Sequence, residues 1–146
     1  MDIDAISDAA ANFRLVVEEQ YFSLGLESRS FPRGACGYMT HMLGAYLHDQ
    51  GLGVFEYIGG ERGFAINDTW STHAWLCGDG VIVDITADQF EDVDEPVIVT
   101  RKSKWHEKFR TKSYGQIYIE ALKDSLVRPY GKIMRALEER ANKRAN

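Results

Sequence analysis

The sequence predicts an α+β fold, in which a small antiparallel sheet lies between helices at the two ends of the chain. Two observations lead to this prediction. Apolar residues recur at helical spacing near the N-terminus, after residue 35 and again toward the C-terminus. Between these regions lie short runs rich in Val, Ile, Thr and aromatic residues, and a hairpin-type turn separates two of them. Strands grouped apart from helices are typical of α+β proteins.

The first two helices are predicted from apolar spacing and from residues that favour helix ends. The first runs over about residues 6–21, with Asp4 or Ser7 as its N-cap. The second runs over about residues 35–49 and stops at Gly51, because glycine suits the position that follows a helix. The segment between them, residues 24–34, is expected to be irregular.

The middle of the chain is expected to be extended, and its end helical. Strands are predicted at residues 54–59, 72–78, 81–86 and 96–100. From Ser113 onward the apolar spacing predicts a helix, which Pro129-Tyr130-Gly131 should interrupt before a polar last helix over residues 132–146. Since no linker or repeat divides the chain, we expect a single domain over residues 1–146.

Composition limits the classes of function. The chain is 45% hydrophobic and 27% charged, as is typical of globular proteins, and its net charge of -5 predicts no general attraction to nucleic acid or to anionic lipid. No segment has the length of a membrane span and the N-terminus is acidic, so we expect a cytoplasmic protein. We interpret the basic residues at 101–112 as a solvated face in preference to a phosphate-binding patch. Two cysteines do not suggest a disulfide framework.

Cys36, His73 and Asp84 are the residues whose settings suggest chemistry. Cys36 lies at the predicted start of the second helix, where free N–H groups and partial positive charge lower the pKa of a thiol and can stabilise an oxyanion. His73 and Asp84 lie on neighbouring predicted strands. A thiol, an imidazole and a carboxylate that orients the imidazole are the groups that nucleophilic thiol catalysis needs.

The spacing of His73 and Asp84 supports their pairing. A two-residue turn at Asp79-Gly80 places Trp75 opposite Asp84, with His73 as a diagonal neighbour on the same face of the sheet. A four-residue loop places His73 directly opposite Asp84, whereas a three-residue loop puts the two on opposite faces. Because Asp-Gly favours the two-residue turn, we predict that imidazole and carboxylate share one face.

These segments resemble the transglutaminase-like branch of the papain-like cysteine enzymes. GACGYMTHMLGAYL around Cys36, THAWL around His73 and GVIVDIT around Asp84 follow the order of that family, and the resemblance covers about residues 33–90. It implies a papain-like fold of the transglutaminase-core type, with a catalytic helix packed on a small antiparallel sheet. It also implies a Cys-His-Asp triad, a peptide or protein substrate, and no cofactor. Gly37 departs from the family, which often has an aromatic residue there.

The expected function is therefore thiol-dependent acyl transfer or amide hydrolysis. With water as second substrate the enzyme is a peptidase, amidase or deamidase, and with an amine it is a transglutaminase or acyltransferase. The side chain that donates to the oxyanion stays open among Gln20, Trp70 and Trp75. The sequence does not predict the substrate or the oligomeric state.

Two alternatives are a catalytically silent binding module of the same fold and a small zinc-binding domain. Zinc-ligand residue types occur at Cys36, His41, His73, Cys77 and Asp84. However, the chain has no CxxC or HExxH motif, and residues 36 and 41 point about 140° apart on a helix. We therefore expect no metal site.

The remaining cysteine and histidines are expected to have structural roles. Cys77 alternates with His73 along its strand, so we expect it on the same face, as a structural residue with a minor alternative of redox pairing with Cys36. We expect His41, His48 and His106 at the surface or as capping residues.

Overall fold

The computed structural model describes residues 1–26 and 31–145, and within them one five-stranded antiparallel sheet and four α-helices form the main elements. The helices are α1 (Ile3–Gln20), α2 (Cys36–Asp49), α3 (Lys104–Glu107) and α4 (Asp124–Ala145). The strands are β1 (Phe55–Arg62), β2 (Ser71–Gly78), β3 (Val81–Asp84), β4 (Ile98–Thr100) and β5 (Arg110–Ile117). The predicted α+β class and the four predicted strands are confirmed. Residues 27–30 of the predicted irregular segment lie outside the described residues.

The sheet has the strand order β4-β3-β2-β1-β5, and every neighbouring pair is antiparallel. β1 pairs with β2 along almost its whole length, from Glu56 opposite Cys77 to Arg62 opposite Ser71. β3 pairs with β2 only from Leu76 to Gly78. The first half of β2 is therefore open on the β3 side, and this opening holds the candidate site.

The helices form the core with one side of the sheet. α2 packs on β1 and β2, while α1 packs against α2, α4 and β4. Gly44 lets α2 approach the sheet closely, since a Cβ at this position would lie 2.8 Å from Cδ1 of Ile117 and 3.1 Å from Cδ2 of Leu76. This packing fixes the height of α2, and hence of its first residue, Cys36, above the strands.

The N-cap of α1 differs from the prediction. Asp2, rather than Asp4 or Ser7, caps the helix, since its carboxylate accepts a hydrogen bond from the N–H of Ala5 at 3.0 Å. The helix consequently begins at Ile3. Its buried side includes the predicted apolar residues and one arginine: Ile6, Ala10, Phe13, Arg14, Val16 and Val17.

The helix predicted from Ser113 onward is wrong over its first part. Residues 110–117 form β5, an edge strand that pairs with β1, and the side chains of this strand are exposed up to the buried Ile117. The apolar residues whose spacing suggested one helix belong to three elements: the end of β5, the turn at Ile119–Ala121 and the start of α4. A few apolar residues cannot distinguish these states, and pairing with β1 decides the matter.

The predicted break at Pro129 is also wrong, because α4 runs through it. Proline inside a helix costs about 3 kcal/mol through the lost hydrogen bond and the clash with the preceding turn. Pro129 and Tyr130 are buried together with Leu126 and Ile133, and burial of this apolar surface offsets the cost. None of the helices within the described ranges combines the length and apolar character that crossing a membrane requires.

Candidate active site

The hairpin of β2 and β3 sets the geometry of the site. Gly78 pairs with Val81, so Asp79 and Gly80 form a two-residue turn, and their φ values of 47° and 76° are those of the favoured hairpin type. Extending this register by one pair beyond Leu76 and Val83 puts residue 75 opposite residue 84. The predicted two-residue turn and its register are therefore confirmed.

His73 and Asp84 meet as the register predicts. Nε2 of His73 donates to Oδ2 of Asp84 at 2.7 Å, and each residue is only 2% exposed. The other carboxylate oxygen accepts the backbone N–H of Thr86 at 3.0 Å. Because an ionised carboxylate only accepts hydrogen bonds, Nε2 of His73 carries a proton and Nδ1 is left to face other partners.

A second imidazole, which the sequence analysis did not assign to the site, binds the same carboxylate. Nε2 of His106 donates to Oδ2 of Asp84 at 2.7 Å, and Oγ of Ser103 lies 2.5 Å from Nδ1 of His106. His106 is 3% exposed, so the expectation of a surface or capping role was wrong. The spacing of Trp105 and Phe109, four residues apart around this histidine, could have indicated a buried helix turn within 101–112.

The two imidazoles keep Asp84 ionised. Burial alone would raise the pKa of this carboxyl group, but the hydrogen bonds and charges of His106 and His73 outweigh burial and lower the pKa to about 2. Asp84 is therefore a carboxylate at neutral pH. A buried carboxylate with three hydrogen-bond donors is a stable acceptor that holds His73 in one tautomer and one orientation.

Cys36 reaches His73 from the start of α2. Its thiol is partly buried and lines the same cleft as His73 and Ala74. The imidazole of His73 and the backbone N–H of Ala74 are close enough to the thiol to lower its pKa. Ala74 belongs to the first half of β2, where β3 does not pair. α2 packs on the face of the sheet that carries Leu76, whereas His73 lies on the other face together with Trp75. Cys36, the first residue of α2, nevertheless shares a cleft with His73, because the cleft extends to the open first half of β2.

The electrostatics of this contact favour a thiolate. Burial raises the pKa of the Cys36 thiol, but the hydrogen bond and charge of His73, helped by the N–H of Ala74, outweigh burial and lower it. Burial lowers the pKa of His73, but the hydrogen bonds and charges of Asp84 and Cys36 prevail and raise it to about 9. Both shifts favour the ion pair of a Cys36 thiolate and a His73 imidazolium over the neutral pair.

Gln89 is a further contact of His73 that the sequence did not indicate. Its amide nitrogen lies 3.1 Å from Nδ1 of His73 and donates to the carbonyl oxygen of Thr86, also at 3.1 Å. Nδ1 accepts from Gln89 when the imidazole is neutral, and it donates to sulphur when the imidazole is charged. Gln89 therefore supports the ring in its neutral state only, since a protonated Nδ1 offers the amide nitrogen no lone pair.

Aromatic side chains enclose the other surfaces of the imidazole. The rings whose centres lie within 6.2 Å of the His73 ring are those of Trp75, Phe90, Trp105 and Phe109. Such a shell keeps water from the His73–Asp84 hydrogen bond, and in a low-dielectric surrounding that bond is stronger than it would be in water.

A cleft of about 820 Å³ opens in front of Cys36 and His73, a volume within the usual range for ligand sites. Tyr57 and His41 lie on its wall with their rings 4.6 Å apart. The hydroxyl of Tyr57 lies 3.5 Å from where a side chain on Gly37 would begin. Burial raises the pKa of Tyr57, and the charge of Cys36 raises it further, so this hydroxyl stays protonated beside the sulphur.

None of the three residues considered as oxyanion donors lines this cleft. Gln20 ends α1, where its side chain is 3.4 Å from the hydroxyl of Ser23. Trp70 is 53% exposed and donates to Glu61 at 3.0 Å. Trp75 packs in the aromatic shell of His73. The Tyr57 hydroxyl, by contrast, lines the cleft near Gly37, the residue that follows Cys36.

Cys77 lies apart from Cys36. It lines a separate shallow pocket with Trp75 and Ile58, and it does not line the cleft of Cys36. Burial raises the pKa of the Cys77 thiol, and the nearby charge of Glu56 raises it further. Both cysteines are free.

One cluster among the described residues combines side chains of the types that bind metals. Among the described residues, His73, Asp84 and His106 form a cluster whose candidate ligand atoms lie within 4.8 Å of one another. Both imidazoles, however, lie 2.7 Å from one carboxylate oxygen. Ligands around tetrahedral zinc are about 3.3 Å apart, given metal–ligand distances of about 2.0–2.1 Å. The geometry is that of hydrogen bonds, and an ion at this position would have to displace the groups.

Comparisons of this chain with protein families, with curated proteins and with solved structures find no match. The geometry of the site is therefore the ground on which its chemistry is inferred.

Proposed function

We propose that this protein is a cysteine-dependent enzyme of the transglutaminase-like type that transfers acyl groups or hydrolyses amides. Cys36 is the nucleophile, His73 the general base and acid, and Asp84 the residue that orients His73. The observation that carries the proposal is the contact of the Cys36 thiol with an imidazole whose other nitrogen is held by a buried carboxylate. The order of a helix-borne thiol and two strand-borne partners supports a papain-like type of fold.

In the acylation step the thiolate of Cys36 attacks the carbonyl carbon of the substrate. The carbonyl electron pair moves to oxygen, and the tetrahedral oxyanion then collapses and expels the leaving amine or alcohol. The leaving group takes the proton that the His73 imidazolium carries on Nδ1, and a thioester remains on the enzyme. Asp84 stays ionised and stabilises the imidazolium throughout, as its low pKa supports.

The second step releases the acyl group. Water or an amine gives a proton to the neutral His73 as it attacks the thioester, and the sulphur departs as a thiolate. The oxyanion of both steps would lie against the first turn of α2, where the N–H groups of Cys36 and Gly37 have no intrahelical acceptor. The hydroxyl of Tyr57 is suited to donate to the same oxygen.

A peptide or protein is the substrate class that this site suits best. The cleft has a volume of about 820 Å³, and residues of β1, β2 and β5 line it, so a substrate bound there would lie across several strands. Thiols stay reduced in the cytoplasm, so the two free cysteines are compatible with the cytoplasmic location that we propose.

The proposal is tested by the reactivity of the Cys36 thiol and by turnover of p-nitrophenyl acetate. We expect iodoacetamide to label Cys36 selectively at neutral pH, and the ester to give a burst of nitrophenolate as the thioester forms. Cys36→Ala should abolish both. His73→Ala should slow labelling at neutral pH about tenfold for each unit by which the pKa of the thiol rises.

Cys77→Ala is the matched control, because it removes the other thiol without touching the site. It should leave labelling and ester turnover unchanged. Slow labelling of Cys36, together with an ordinary thiol pKa that His73→Ala does not move, would contradict the proposal. That result would favour a silent binding module.

A further inference from the structure

The cleft in front of Cys36 is cationic although the chain as a whole has a net charge of -5. Its lining includes Arg110, Lys112 and Lys123, but only one carboxylate, that of Glu61. Arg110 lies 3.7 Å from this carboxylate, which offsets its charge. Within residues 1–26 and 31–145, neither lysine forms an ion pair with a carboxylate.

Strand pairing places Lys112 beside the nucleophile. Lys112 is opposite Gly59 on β1, and Gly59 is opposite Ala74 on β2, which lines the cleft together with Cys36. Two strand spacings of about 4.8 Å put the Cα of Lys112 about 10 Å from that of Ala74. The ammonium group lies 5.2 Å from the centre of the Tyr114 ring, on the cleft wall.

Tyr114 and the glycine beneath it shape the space between the lysine and the thiol. A Cβ on Gly59 would lie 2.7 Å from Cε2 of Tyr114, so the ring rests on the bare backbone of β1. The ring of Tyr57 lies 5.8 Å from that of Tyr114. An acyl group bound at Cys36 can therefore pass these aromatic surfaces and end at the ammonium group of Lys112.

Lys123 adds a second cation from the segment before α4. It lines the cleft near His41, whose pKa is lowered by burial and then by the charge of Lys123. His41 is consequently neutral at neutral pH, so the two lysines supply the unpaired positive charge. The thiolate of Cys36 and the imidazolium of His73 cancel each other and do not change this balance.

We propose that the acyl donor carries a carboxylate close to the reacting carbonyl, and that Lys112 and Lys123 bind this carboxylate. The inference rests on the proposed function, because it takes Cys36 as the nucleophile. The net negative charge of the chain repels anions, but lysines without a carboxylate partner attract them locally into the cleft. Cleft walls of low dielectric strengthen this local attraction. The carboxylate belongs either to an acidic side chain or to a chain terminus, and both present the same chemistry.

The test compares two alkylating agents that differ in charge. Iodoacetate and iodoacetamide both form a bond from the Cys36 sulphur to carbon while iodide leaves, but only iodoacetate is an anion. We expect the ratio of the iodoacetate rate to the iodoacetamide rate to be higher for Cys36 than for N-acetylcysteine. Replacing Lys112 or Lys123 by Gln should lower this ratio about two- to fourfold each, the effect of one charge at about 10 Å in a wet cleft.

Lys143→Gln is the matched control, since it removes the same charge from the last turn of α4. That residue lies about 28 Å along the helix axis from its first residue, Asp124. The control should leave the ratio unchanged, whereas added salt should lower the ratio of the wild type. If Cys36 reacts rapidly with iodoacetamide but the lysine variants keep the wild-type ratio, the inference is overturned while the proposed function stands. Slow reaction with both agents would instead contradict the proposed function.

Peptides distinguish the two sources of the carboxylate. Four short peptides, with Glu or Gln and with a free or amidated C-terminus, are tested for protection of Cys36 from iodoacetamide. Protection by the amidated Glu peptide identifies a side-chain carboxylate, and protection by the Gln peptide with a free terminus identifies a terminal one. If the amidated Gln peptide, which has no carboxylate, protects Cys36 from iodoacetamide as well as the other three peptides do, the inference is overturned.

Discussion

Asp84 accepts hydrogen bonds from two imidazoles and one backbone N–H, and this single residue organises the site. It holds His73 through Nε2, while Nδ1 lies 3.1 Å from the amide nitrogen of Gln89 and the imidazole lowers the pKa of Cys36. The opposite directions of the pKa shifts of Cys36 and His73 have the same origin, since each group stabilises the charged form of the other. At the scale of residues, the site is a series of charged and polar groups that runs from His106 through Asp84 and His73 to the sulphur of Cys36.

The first prediction concerns the pH dependence of Cys36. Its thiolate forms as pH rises through a pKa below the ordinary value, and the His73 imidazolium loses its proton only as pH rises through about 9. Iodoacetamide labelling should therefore reach its plateau below the pH expected for a free thiol and stay there. Acyl transfer should fall above about pH 9, because the leaving group then lacks a proton donor.

The measurement is the rate of labelling and of ester turnover over a series of pH values, with the His73→Ala variant beside the wild type. In that variant burial acts on the thiol without its partner, so the labelling curve should move to higher pH. A curve that stays in place would show that His73 does not govern the thiol.

The second prediction concerns His106, which acts on the reaction through Asp84 as a positioning residue. His106→Leu leaves Oδ2 of Asp84 with one donor fewer in a buried place, which should cost about 1–3 kcal/mol of unfolding free energy and raise the pKa of Asp84. Denaturant unfolding measures the first effect. The pH profile of ester turnover reports the second, because a carboxylate with fewer donors changes the pKa of His73.

His106→Gln is the control for this substitution, since its amide N–H can occupy the position of Nε2. It should restore most of the stability and return the pH profile toward that of the wild type. If both variants lose stability but neither alters the pH profile, His106 is a structural residue only.

At the scale of elements, the height of α2 above the sheet decides whether Cys36 meets His73. Gly44 sets this height, because any side chain there meets Ile117 and Leu76. The register of the β2–β3 hairpin sets the other half of the site, and it depends on the positive φ values of Asp79 and Gly80. Cys36 on α2 and the His73–Asp84 pair on the hairpin belong to separate parts of the sequence. They come together beside the stretch of β2 that β3 does not pair with.

The third prediction is that Gly44→Val destabilises the fold and separates the thiol from its partner. The branched side chain must push α2 away from β2 and β5, which should cost about 1–3 kcal/mol. Cys36 moves with the helix, so its pKa should rise and iodoacetamide labelling at neutral pH should slow.

Gly131→Val in α4 is the control, because the atom nearest to a Cβ there would be Nη1 of Arg135, at an ordinary contact distance of 3.7 Å. It should change both the stability and the labelling rate little. Unfolding by denaturant and labelling by iodoacetamide are measured on the same two variants. An unchanged labelling rate in folded Gly44→Val protein would show that helix height does not control the thiol.

At the scale of the whole molecule, polar contacts tie distant parts of the chain to the site. Arg14 on α1 binds both carboxylate oxygens of Asp88 at 2.8 Å and donates to the carbonyl oxygen of Ile85 at 2.5 Å. Asp88 precedes Gln89, which contacts His73. The first helix thereby supports the segment that holds the imidazole.

The fourth prediction concerns the stability of the whole protein in acid. The pKa of Asp84 is about 2 in the folded state against an ordinary value of 3.8, so its contribution is present above about pH 3.8 and is lost as pH falls through about 2. The contribution is about 2 kcal/mol at neutral pH.

The measurement is the unfolding free energy of the wild type and of Asp84→Asn over a series of acid pH values. The difference between the two should shrink as pH falls through this window, since the amide cannot take up a proton. A difference that stays constant in acid would contradict the depressed pKa. Asp94→Asn, at an exposed position, is the control and should follow the wild type.

Much of the fold could be predicted because its determinants are local. The apolar spacing of α1, the Gly after α2 and the Asp-Gly turn act over a few residues, so the first two helices and four strands were predicted. The segment at 110–117 was not, because its strand state comes from pairing with β1, about fifty residues away. The helix break predicted at Pro129 is absent for a similar reason, because burial of this part of α4 in the core outweighs the local preference of proline for a helix end.

The sequence by itself determined the order of Cys36, His73 and Asp84 and the shared face of the latter two, because strand parity follows from the length of one turn. Only the tertiary structure decided that Cys36 reaches His73, that His106 joins Asp84, and that two unpaired lysines line the cleft. These contacts join elements distant in the chain. They depend on how apolar faces pack and on where β3 leaves β2, and no local spacing encodes either.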